Sequence, residues 1–145
     1  MEQRTSDVLS MLRQEVDAWV ASASEDGDAY LVPLSFAWTG EQIIMATPVD
    51  SITSRNLKRA GRARIAIGPT RDVVIVEGSV DHKTPPGECE LWDIHSAATG
   101  FDARSARSPF ALLVLAPELI QAWRNPAELT GRDVMRRGRW LAQQD

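Results

Sequence analysis

The chain has 145 residues, a length that fits one domain with a single hydrophobic core. Apolar residues make up 43% and charged residues 25% of the sequence, which is typical of a globular protein in water. No apolar run approaches the roughly 18 to 20 residues of a membrane span, and the polar N-terminus does not resemble a secretory signal. The single cysteine, Cys89, excludes a disulfide framework within the chain. We therefore expect one cytoplasmic domain over residues 1–145 that does not bind a membrane.

The net charge of −4 is unevenly distributed. Residues 51–71 contain six basic residues and no acidic one, whereas residues 1–50 and 72–102 contain nine and seven acidic residues. A basic segment in an acidic protein indicates a local anionic partner rather than general binding of nucleic acid. The alternative interpretation is a solvated charged surface.

The first half of the chain predicts a helix followed by an antiparallel meander. Apolar residues spaced by four predict a helix over 7–16. Strands are predicted over 17–24, 29–38 and 43–47, with turns at 25–28, around Gly27, and at 39–42. Pro33 lies inside the second strand and predicts an edge or a bulge, because proline cannot donate to the strand ladder.

The second half predicts three more strands. A helix that ends at Gly61 precedes strands over 62–68 and 73–82, and a helix over 85–100 precedes a final strand within 109–124, bulged at Pro117. The strand over 73–82 is apolar on both faces for four residues, so both faces should be covered there, and a second subunit is a plausible cover. The tail, 125–145, is predicted to contain a short helix at 127–131 or 131–137. The pattern favours a mainly β fold, a small barrel of six antiparallel strands with a few short helices.

The side chains offer few candidates for catalysis. His82 and His95 are not spaced as metal ligands, and His95 is expected in a surface acidic cluster, so we predict no metal site. Cys89 lies in a predicted acidic helix, where a thiolate is disfavoured, and is expected to be inert. No nucleophile or acid–base pair is evident, so the catalytic residues stay unknown. An enzyme of this composition would depend on a bound cofactor.

The segment "ATPVDSITSRNLKRAG", residues 46–61, has more hydroxyls and more positive charge than a helix start needs. One capping side chain suffices for a helix N-terminus, and Asp50 or Ser51 would serve. Thr53 and Ser54 are additional, and Arg55 opposes the helix dipole at a cost of about 0.3–1 kcal/mol. A phosphate at the helix N-terminus would remove this conflict, because N–H groups, hydroxyls and the guanidinium would all face one anion. The alternative is a redundant cap.

Five tryptophans occur among nine aromatic residues, and most are expected in the core. Trp140 is the exception, since it lies in the basic tail segment "RRGRW". A large ring in such a segment packs on a partner surface or covers a ligand.

The order of these motifs resembles the pyridoxamine 5′-phosphate oxidase-like superfamily, the flavin-binding split barrels. The similar segments are "AYLVPLSFAW", "IIMATPVDSITSRNL", "RARIAIGPTRDVVIVEGSV" and "APELIQAWR…GRDVMRRGRWL", which span nearly the whole chain in order. The sequence looks closest to the flavin- and deazaflavin-dependent branch. The resemblance implies a six-stranded antiparallel split barrel and a homodimer with two cofactor sites at the dimer interface.

The resemblance also implies a set of cofactor-binding residues. The phosphate would be held after the third strand, and the ring would rest on the second and third strands. The partner subunit would complete the site through the strand matching "DVVIVEG" and through its tail, within 125–145. These roles fall on Thr47, Ser51, Thr53, Ser54, Arg55 and Asn56 for the phosphate, on Val32, Pro33, Leu34, Ser35, Met45 and Ala46 for the ring, and on Arg139 and Trp140 from the partner.

The sequence departs from true pyridoxamine 5′-phosphate oxidases, because it lacks their arginine–x–histidine signature and their set of basic substrate-binding residues. The resemblance therefore implies an oxidoreductase that transfers a hydride between bound FMN or coenzyme F-420 and an unknown small molecule. Phosphate-binding lysines of some deazaflavin-dependent members are not evident either, and Arg55 is their expected substitute. The alternatives are a non-catalytic carrier of flavin, haem or another planar ligand, and a barrel that has lost its ligand.

Overall fold

The computed structural model describes residues 2–84 and 89–143. Three α-helices and eight strands occur in these residues. The helices are α1 (Glu2–Gln14), α2 (Ile52–Ala60) and α3 (Cys89–Thr99). The strands are β1 (Asp17–Ala23), β2 (Ala29–Trp38), β3 (Ile43–Pro48), β4 (Arg62–Ile67), β5 (Val73–Lys83), β6 (Phe110–Trp123), β7 (Asp133–Arg136) and β8 (Arg139–Trp140).

Six antiparallel strands form a closed barrel, as the sequence predicts. Their order is β3-β2-β1-β4-β5-β6, and pairing between β3 and β6 closes the ring. Side chains alternate along each strand between the interior and the outside. Val20, Phe36, Ile65 and Val76 are among the buried residues that fill the interior, each at most 1% exposed.

The barrel is split between β2 and β3. The whole of Ala29–Ser35 pairs with β1, but β2 pairs with β3 only over the three residues from Phe36 to Trp38. The backbone of residues 29–35 therefore has a strand on one side only. The predicted edge at Pro33 is confirmed, since Pro33 lies in this half-paired segment.

The bulge predicted at Pro117 is also confirmed. Glu77 pairs with Leu119 and Gly78 pairs with Pro117, so Glu118 of β6 is the extra residue without a partner on β5. A Cβ atom at Gly78 would lie 1.9 Å from the carbonyl oxygen of Ala116. Only glycine allows the two backbones to approach this closely, so Gly78 positions the long bend of β6.

Two helices lie at opposite ends of the barrel. α2 lies beside the end of β1, where Arg59 Nη2 donates to the carbonyl of Ala23 at 2.7 Å. It ends at Gly61, whose positive φ of 69° and N–H bond to Leu57 O form the predicted cap. α1 lies at the other end, where Arg4 Nη1 donates to the carbonyl of Ala122 at 2.8 Å.

The third helix, α3, covers the outer face of β3 and β6. Trp92, Ile44, Leu112 and Val114 form a second apolar cluster there, separate from the barrel interior. The helix ends at Gly100, as predicted, and its described part begins at Cys89. The predicted start at residues 85–88 lies outside the described residues.

The tail differs from the prediction. A 3-10 turn occupies Pro126–Glu128, and the predicted helix at 131–137 is replaced by a hairpin of β7 and β8 that pairs with the end of β6. Val134 and Met135 are buried residues of β7. This strand has only four residues and lies between Gly131 and Gly138, so its sequence shows no clear alternation.

Two predictions about burial are wrong. Trp19 is 52% exposed, because its position on β1 faces outward and no described helix covers it. His95 is only 2% exposed, because it lies on the buried face of α3 rather than in a surface acidic cluster. No helix within the described residues has the length and apolar character that a bilayer span requires.

Candidate functional site

The N-terminus of α2 is the centre of the candidate site. Ser51 is the N-cap, and its Oγ accepts the N–H of Ser54 at 3.0 Å. The backbone N–H of Arg55 donates to Ser51 O. The first-turn N–H groups of Ile52 and Thr53 have no acceptor within the described residues, as is usual for a helix start. Two N–H groups therefore remain available to an anion.

The hydroxyls of this segment largely bond to one another and to neighbouring strands. Thr47 Oγ1 and Ser51 Oγ lie 3.0 Å apart. Ser54 Oγ lies 2.8 Å from Nε2 of His82 on β5. Since two hydroxyls that share one hydrogen bond have two hydrogens between them, one hydrogen of the Thr47–Ser51 pair is left to donate elsewhere. Thr53, in the first turn of α2, is 1% exposed.

Asn56 does not point toward the helix N-terminus. Its Nδ2 donates to Ser22 Oγ on β1 at 3.1 Å, and the residue is 7% exposed. The amide therefore fixes α2 to the barrel rather than extending the set of donors for an anion.

The basic segment divides into paired and unpaired cations. Arg62 and Arg64 both form ion pairs with Glu77 across the sheet. The Arg64 hydrogen bond is the largest contribution that holds the pKa of Glu77 below its ordinary value. Arg55 and Lys58, by contrast, are exposed, and their side chains have no hydrogen bond or ion pair among the described residues. Because they are three residues apart on α2, they are neighbours on its surface and give the helix start an unbalanced positive charge.

The residues predicted to contact a planar ring do not share one face. Val32 and Leu34 pack against the interior cluster, and Met45 is fully buried within it. Pro33 is exposed on the outside, and Ser35 Oγ donates to Asp17 Oδ1 at 2.8 Å. Ala46 packs against the cluster under α3. Their side chains cannot all face one ring, whereas the half-paired backbone of residues 29–35 offers polar groups along one edge.

Arg139 and Trp140 lie far from the start of α2 in the same protomer. Thr47 pairs with Ala111 on β6, whereas β7 pairs at Ile120, nine residues farther along that strand. That separation corresponds to about 30 Å of strand. Trp140 pairs with Met135 and packs against the protomer's own core. Contact of this pair with the cofactor of a partner subunit stays a prediction.

Sequence analysis missed His82 and Ser22 as neighbours of α2. Burial, followed by the positive charge of Lys58, holds the pKa of His82 below its ordinary value of 6.5, although Asp81 acts in the opposite direction. Both residues face α2 from strands distant in sequence. Strand alternation places His82 on the same side as Val74 and Val76, and this is the signal that could have identified it.

Other concave or buried features lie away from α2. A groove of about 480 Å³ lies under α1 at the opposite end of the barrel, lined by residues that include Asp7, Val74 and Trp123. Neither ring nitrogen of His95 has a hydrogen-bond partner of normal geometry in the described residues, although the Ser35 backbone lies near enough to affect its pKa. Burial is the main cause that lowers the pKa of His95. No group of three or more described His, Cys, Asp or Glu side chains is arranged to hold a metal ion.

Several solved structures share this fold. An F420 reductase is 17% identical, with a TM-score of 0.64 over 77% of this chain and 93% of its own. A pyridoxamine 5′-phosphate oxidase-related, FMN-binding protein from Nostoc punctiforme is 15% identical, with a TM-score of 0.58 over 83% and 81%. A haem-binding protein from Mycobacterium smegmatis is 19% identical, with a TM-score of 0.64 over 88% of this chain and 55% of its own. At these identities, the likeness shows the fold.

No curated protein matches the sequence. The model of the pyridoxamine 5′-phosphate oxidase family matches residues 5–124, which include the barrel strands β1 to β6, the split and α2. The chain belongs to the pyridoxamine 5′-phosphate oxidase family.

Proposed function

We propose that the protein is an oxidoreductase that binds FMN or coenzyme F-420 and transfers a hydride between that cofactor and a small molecule. The observation that carries the proposal is the pair of unpaired cations, Arg55 and Lys58, beside the free N–H groups that begin α2 in the described part of the chain. A phosphate matches this arrangement in charge and in hydrogen-bonding capacity.

The described residues fit a phosphate-bearing cofactor, although they offer it fewer hydrogen-bond donors than the sequence predicts. The N–H groups of Ile52 and Thr53, one hydroxyl hydrogen of the Thr47–Ser51 pair and the Arg55 guanidinium can all donate to one anion. Asn56 is the exception, because it is bonded to Ser22. The half-paired backbone of β2 over residues 29–35 can supply polar contacts to a planar ring beside the anion.

The protein's own residues would bind and orient the cofactor and exclude water from it. A flavin or deazaflavin, when bound, supplies the hydride acceptor or donor. Thr47 lies at the end of β3, which borders the split, and Ser51 lies at the start of α2. Their contact would fix the position of a phosphate at α2 relative to a ring at the split.

We further propose a homodimer, because an apolar row crosses the outer face of the sheet between charged neighbours such as Asp17 and Arg64. Pro33, Trp19, Ala66 and Ile75 pair in that order and form a row across β2, β1, β4 and β5. Leu31, on the same face, is 59% exposed. A second copy would cover this row, and its tail could then bring Arg139 and Trp140 to a site that they cannot reach within their own protomer.

A carrier of haem or another planar ligand is the second candidate. The structural likeness to the haem-binding protein from Mycobacterium smegmatis favours testing it. His95 is the described histidine whose ring nitrogens have no hydrogen-bond partner, but it is only 2% exposed, so haem ligation by it would require movement of α3.

The decisive experiment is titration of the apo-protein with FMN, coenzyme F-420 and haem side by side, followed by fluorescence and absorbance. We expect saturable binding of FMN or coenzyme F-420, and reduction of the bound cofactor by a nicotinamide or small organic donor. Binding of neither cofactor would refute the proposal. Cofactor binding without any reduction or reoxidation would favour a carrier, and a Soret shift with haem alone would favour the second candidate.

A further inference from the structure

His82 forms a contact that the packing of the barrel alone does not require. Its Nε2 lies 2.8 Å from Oγ of Ser54, the third residue of α2. Ser54 is 1% exposed, whereas the His82 side chain is half-buried and has access to solvent. The contact therefore connects a buried hydroxyl at the helix start to a titratable ring at the surface.

Two charges act on the His82 ring, and the effect of Lys58 on α2 is larger than that of Asp81 on the ring's own strand. Lys58 lies one turn after Ser54, on the same face of the helix, and its charge acts on the ring. Asp81, on the same strand, forms an ion pair with Lys83 at 3.1 Å. On β6 the residue opposite His82 is Leu113, which carries no charge. Lys58 acts on His82 and is a neighbour of Arg55 on the helix surface, so an anion bound beside Lys58 would be near the nitrogen groups of both.

A serine–histidine contact is also the arrangement of an activated nucleophile, but the burial argues against that role. A nucleophile must reach a substrate atom, and Ser54 Oγ belongs to a residue that is 1% exposed. No described carboxylate accepts a hydrogen bond from the other ring nitrogen of His82. The geometry favours a positioning residue that holds Ser54 and responds to charge at the start of α2.

We propose that His82 belongs to the phosphate site and takes up a proton when a phosphate ester binds beside Arg55 and Lys58. This inference rests on the proposed function, because it concerns the same site. The neutral ring shares the Ser54 hydrogen bond in the free protein. In the complex, the imidazolium adds a third positive charge, and the Ser54 hydroxyl accepts its N–H.

The sign of the pH dependence follows from linkage. The pKa of free His82 lies below its ordinary value of 6.5, so the ring is neutral at pH 7. An adjacent anion favours the charged ring and raises that pKa. His82 therefore binds a proton more tightly in the complex than in the free protein. Phosphate affinity must then rise as the pH falls through the range between the His82 pKa of the complex and that of the free protein.

The experiment compares FMN with riboflavin, which has the same ring system without the phosphate, in wild type and His82→Gln. Glutamine retains a hydrogen-bonding group toward Ser54 but does not titrate. The rise in the His82 pKa on binding predicts that wild type gains about threefold to tenfold in FMN affinity relative to His82→Gln between pH 8 and pH 5.5. The FMN phosphate itself ionises near pH 6, and the comparison of wild type with His82→Gln cancels this effect because both proteins bind the same ligand. Riboflavin affinity should show no such difference.

A second measurement does not depend on the variant's folding. The sequence has two histidines, so NMR can follow the His82 ring directly in wild type, with and without FMN. We expect FMN to raise the His82 pKa, and riboflavin to leave it unchanged. If FMN binds with the same pH dependence in both proteins and the His82 pKa does not rise, this inference is wrong and the proposed function stands. If FMN does not bind at any pH, the FMN form of the proposed function fails, and this inference fails with it.

Discussion

Thr47 Oγ1 and Ser51 Oγ lie 3.0 Å apart, and this contact joins the end of β3 to the N-cap of α2. Ser51 also accepts the N–H of Ser54, so one side chain both caps the helix and orients it relative to the barrel. The excess of hydroxyls in this segment is therefore explained mainly by bonds within the protein. What those bonds leave unexplained is the charge of Arg55 and Lys58.

Replacement of Ser51 by alanine should destabilise the protein. It removes the acceptor of the Ser54 N–H and the partner of Thr47, and loss of an N-cap costs about 0.5–2 kcal/mol. The free energy of unfolding, measured with urea, should fall by that amount. Ser51→Asn, which retains a capping oxygen, should lose less, and Ser10→Ala, on the exposed part of α1, should lose almost nothing. Equal stability of Ser51→Ala and wild type would contradict the capping role.

Replacement of Arg55 by alanine should weaken binding of the phosphate-bearing cofactor. A charge-assisted hydrogen bond contributes about 1.5–3 kcal/mol, which corresponds to a loss of roughly tenfold to 150-fold in affinity. Because Arg55 has no described partner, its removal should leave the free energy of unfolding nearly unchanged. The measurement is the Kd for FMN and for coenzyme F-420 by fluorescence titration.

Arg71 supplies a matched control for Arg55. It is another exposed arginine of the basic segment without a described partner, and it lies in the turn between β4 and β5 at the other end of the barrel. Arg71→Ala removes the same net charge without touching α2. If both variants lose affinity equally, a general electrostatic field rather than a specific phosphate contact holds the cofactor.

Local sequence patterns predicted the strands well and the contacts between strands poorly. Alternation in "RARIAIG" and the cap at Gly61 depend on neighbouring residues, and both are confirmed. The contacts of Ser54 with His82 and of Asn56 with Ser22 join residues 28 and 34 positions apart. Such contacts depend on how the barrel closes, which no local pattern determines.

The exposed Trp19 shows a related limit. A strand residue can face inward or outward, and the alternation around Trp19 is ambiguous because its neighbours are alanines and valines. The register with Pro33 and Ala66 decides the face. The tail hairpin was missed for the opposite reason, because β7 and β8 are too short to produce a periodic signal.

Replacement of Gly78 by alanine should be strongly destabilising. The added Cβ would overlap the carbonyl oxygen of Ala116 at 1.9 Å, and a backbone atom cannot move aside as a flexible side chain can. Overpacking of this kind costs about 1–3 kcal/mol or more. The urea midpoint should fall accordingly, whereas Ser79→Ala, at the exposed next position, should behave like wild type. A stable Gly78→Ala would show that the bulge opposite Pro117 can shift.

Glu128 should contribute stability that depends on pH. It accepts hydrogen bonds from Arg124 and from Arg4 of α1, and these lower its pKa from 4.5 to about 2, with Arg124 as the main cause. A carboxylate whose pKa is depressed by folding stabilises the protein above the unfolded pKa, and the stabilisation is lost as the pH falls toward 2.

The test of this effect is a comparison of wild type with Glu128→Gln. The difference in free energy of unfolding should be largest above pH 4.5 and should disappear as the pH approaches 2. Glu25→Gln, at an exposed turn position without a described ion pair, controls for the loss of one negative charge. A difference that does not change with pH would show that the introduced glutamine side chain perturbs packing instead.

Replacement of Trp19 by arginine should separate the proposed homodimer. The ring is 52% exposed in the middle of the apolar row formed with Pro33, Ala66 and Ile75, and a buried charge at this position would have no acid opposite it in the row. Light scattering coupled to size exclusion should report a dimer for wild type and a monomer for the variant. Because the partner's tail is proposed to complete the cofactor site, FMN affinity should fall in parallel.

Phe101 provides the control for this last substitution. It is 46% exposed and lies beyond α3, where its ring contacts Phe110 at 5.5 Å between centroids. Phe101→Arg places the same charge on the same chain outside the apolar row and should stay dimeric. If wild type is a monomer, or if Trp19→Arg still dimerises, the second copy does not cover this face. Arg139 and Trp140 would then have no route to the start of α2, and the cofactor site would have to be formed within one protomer.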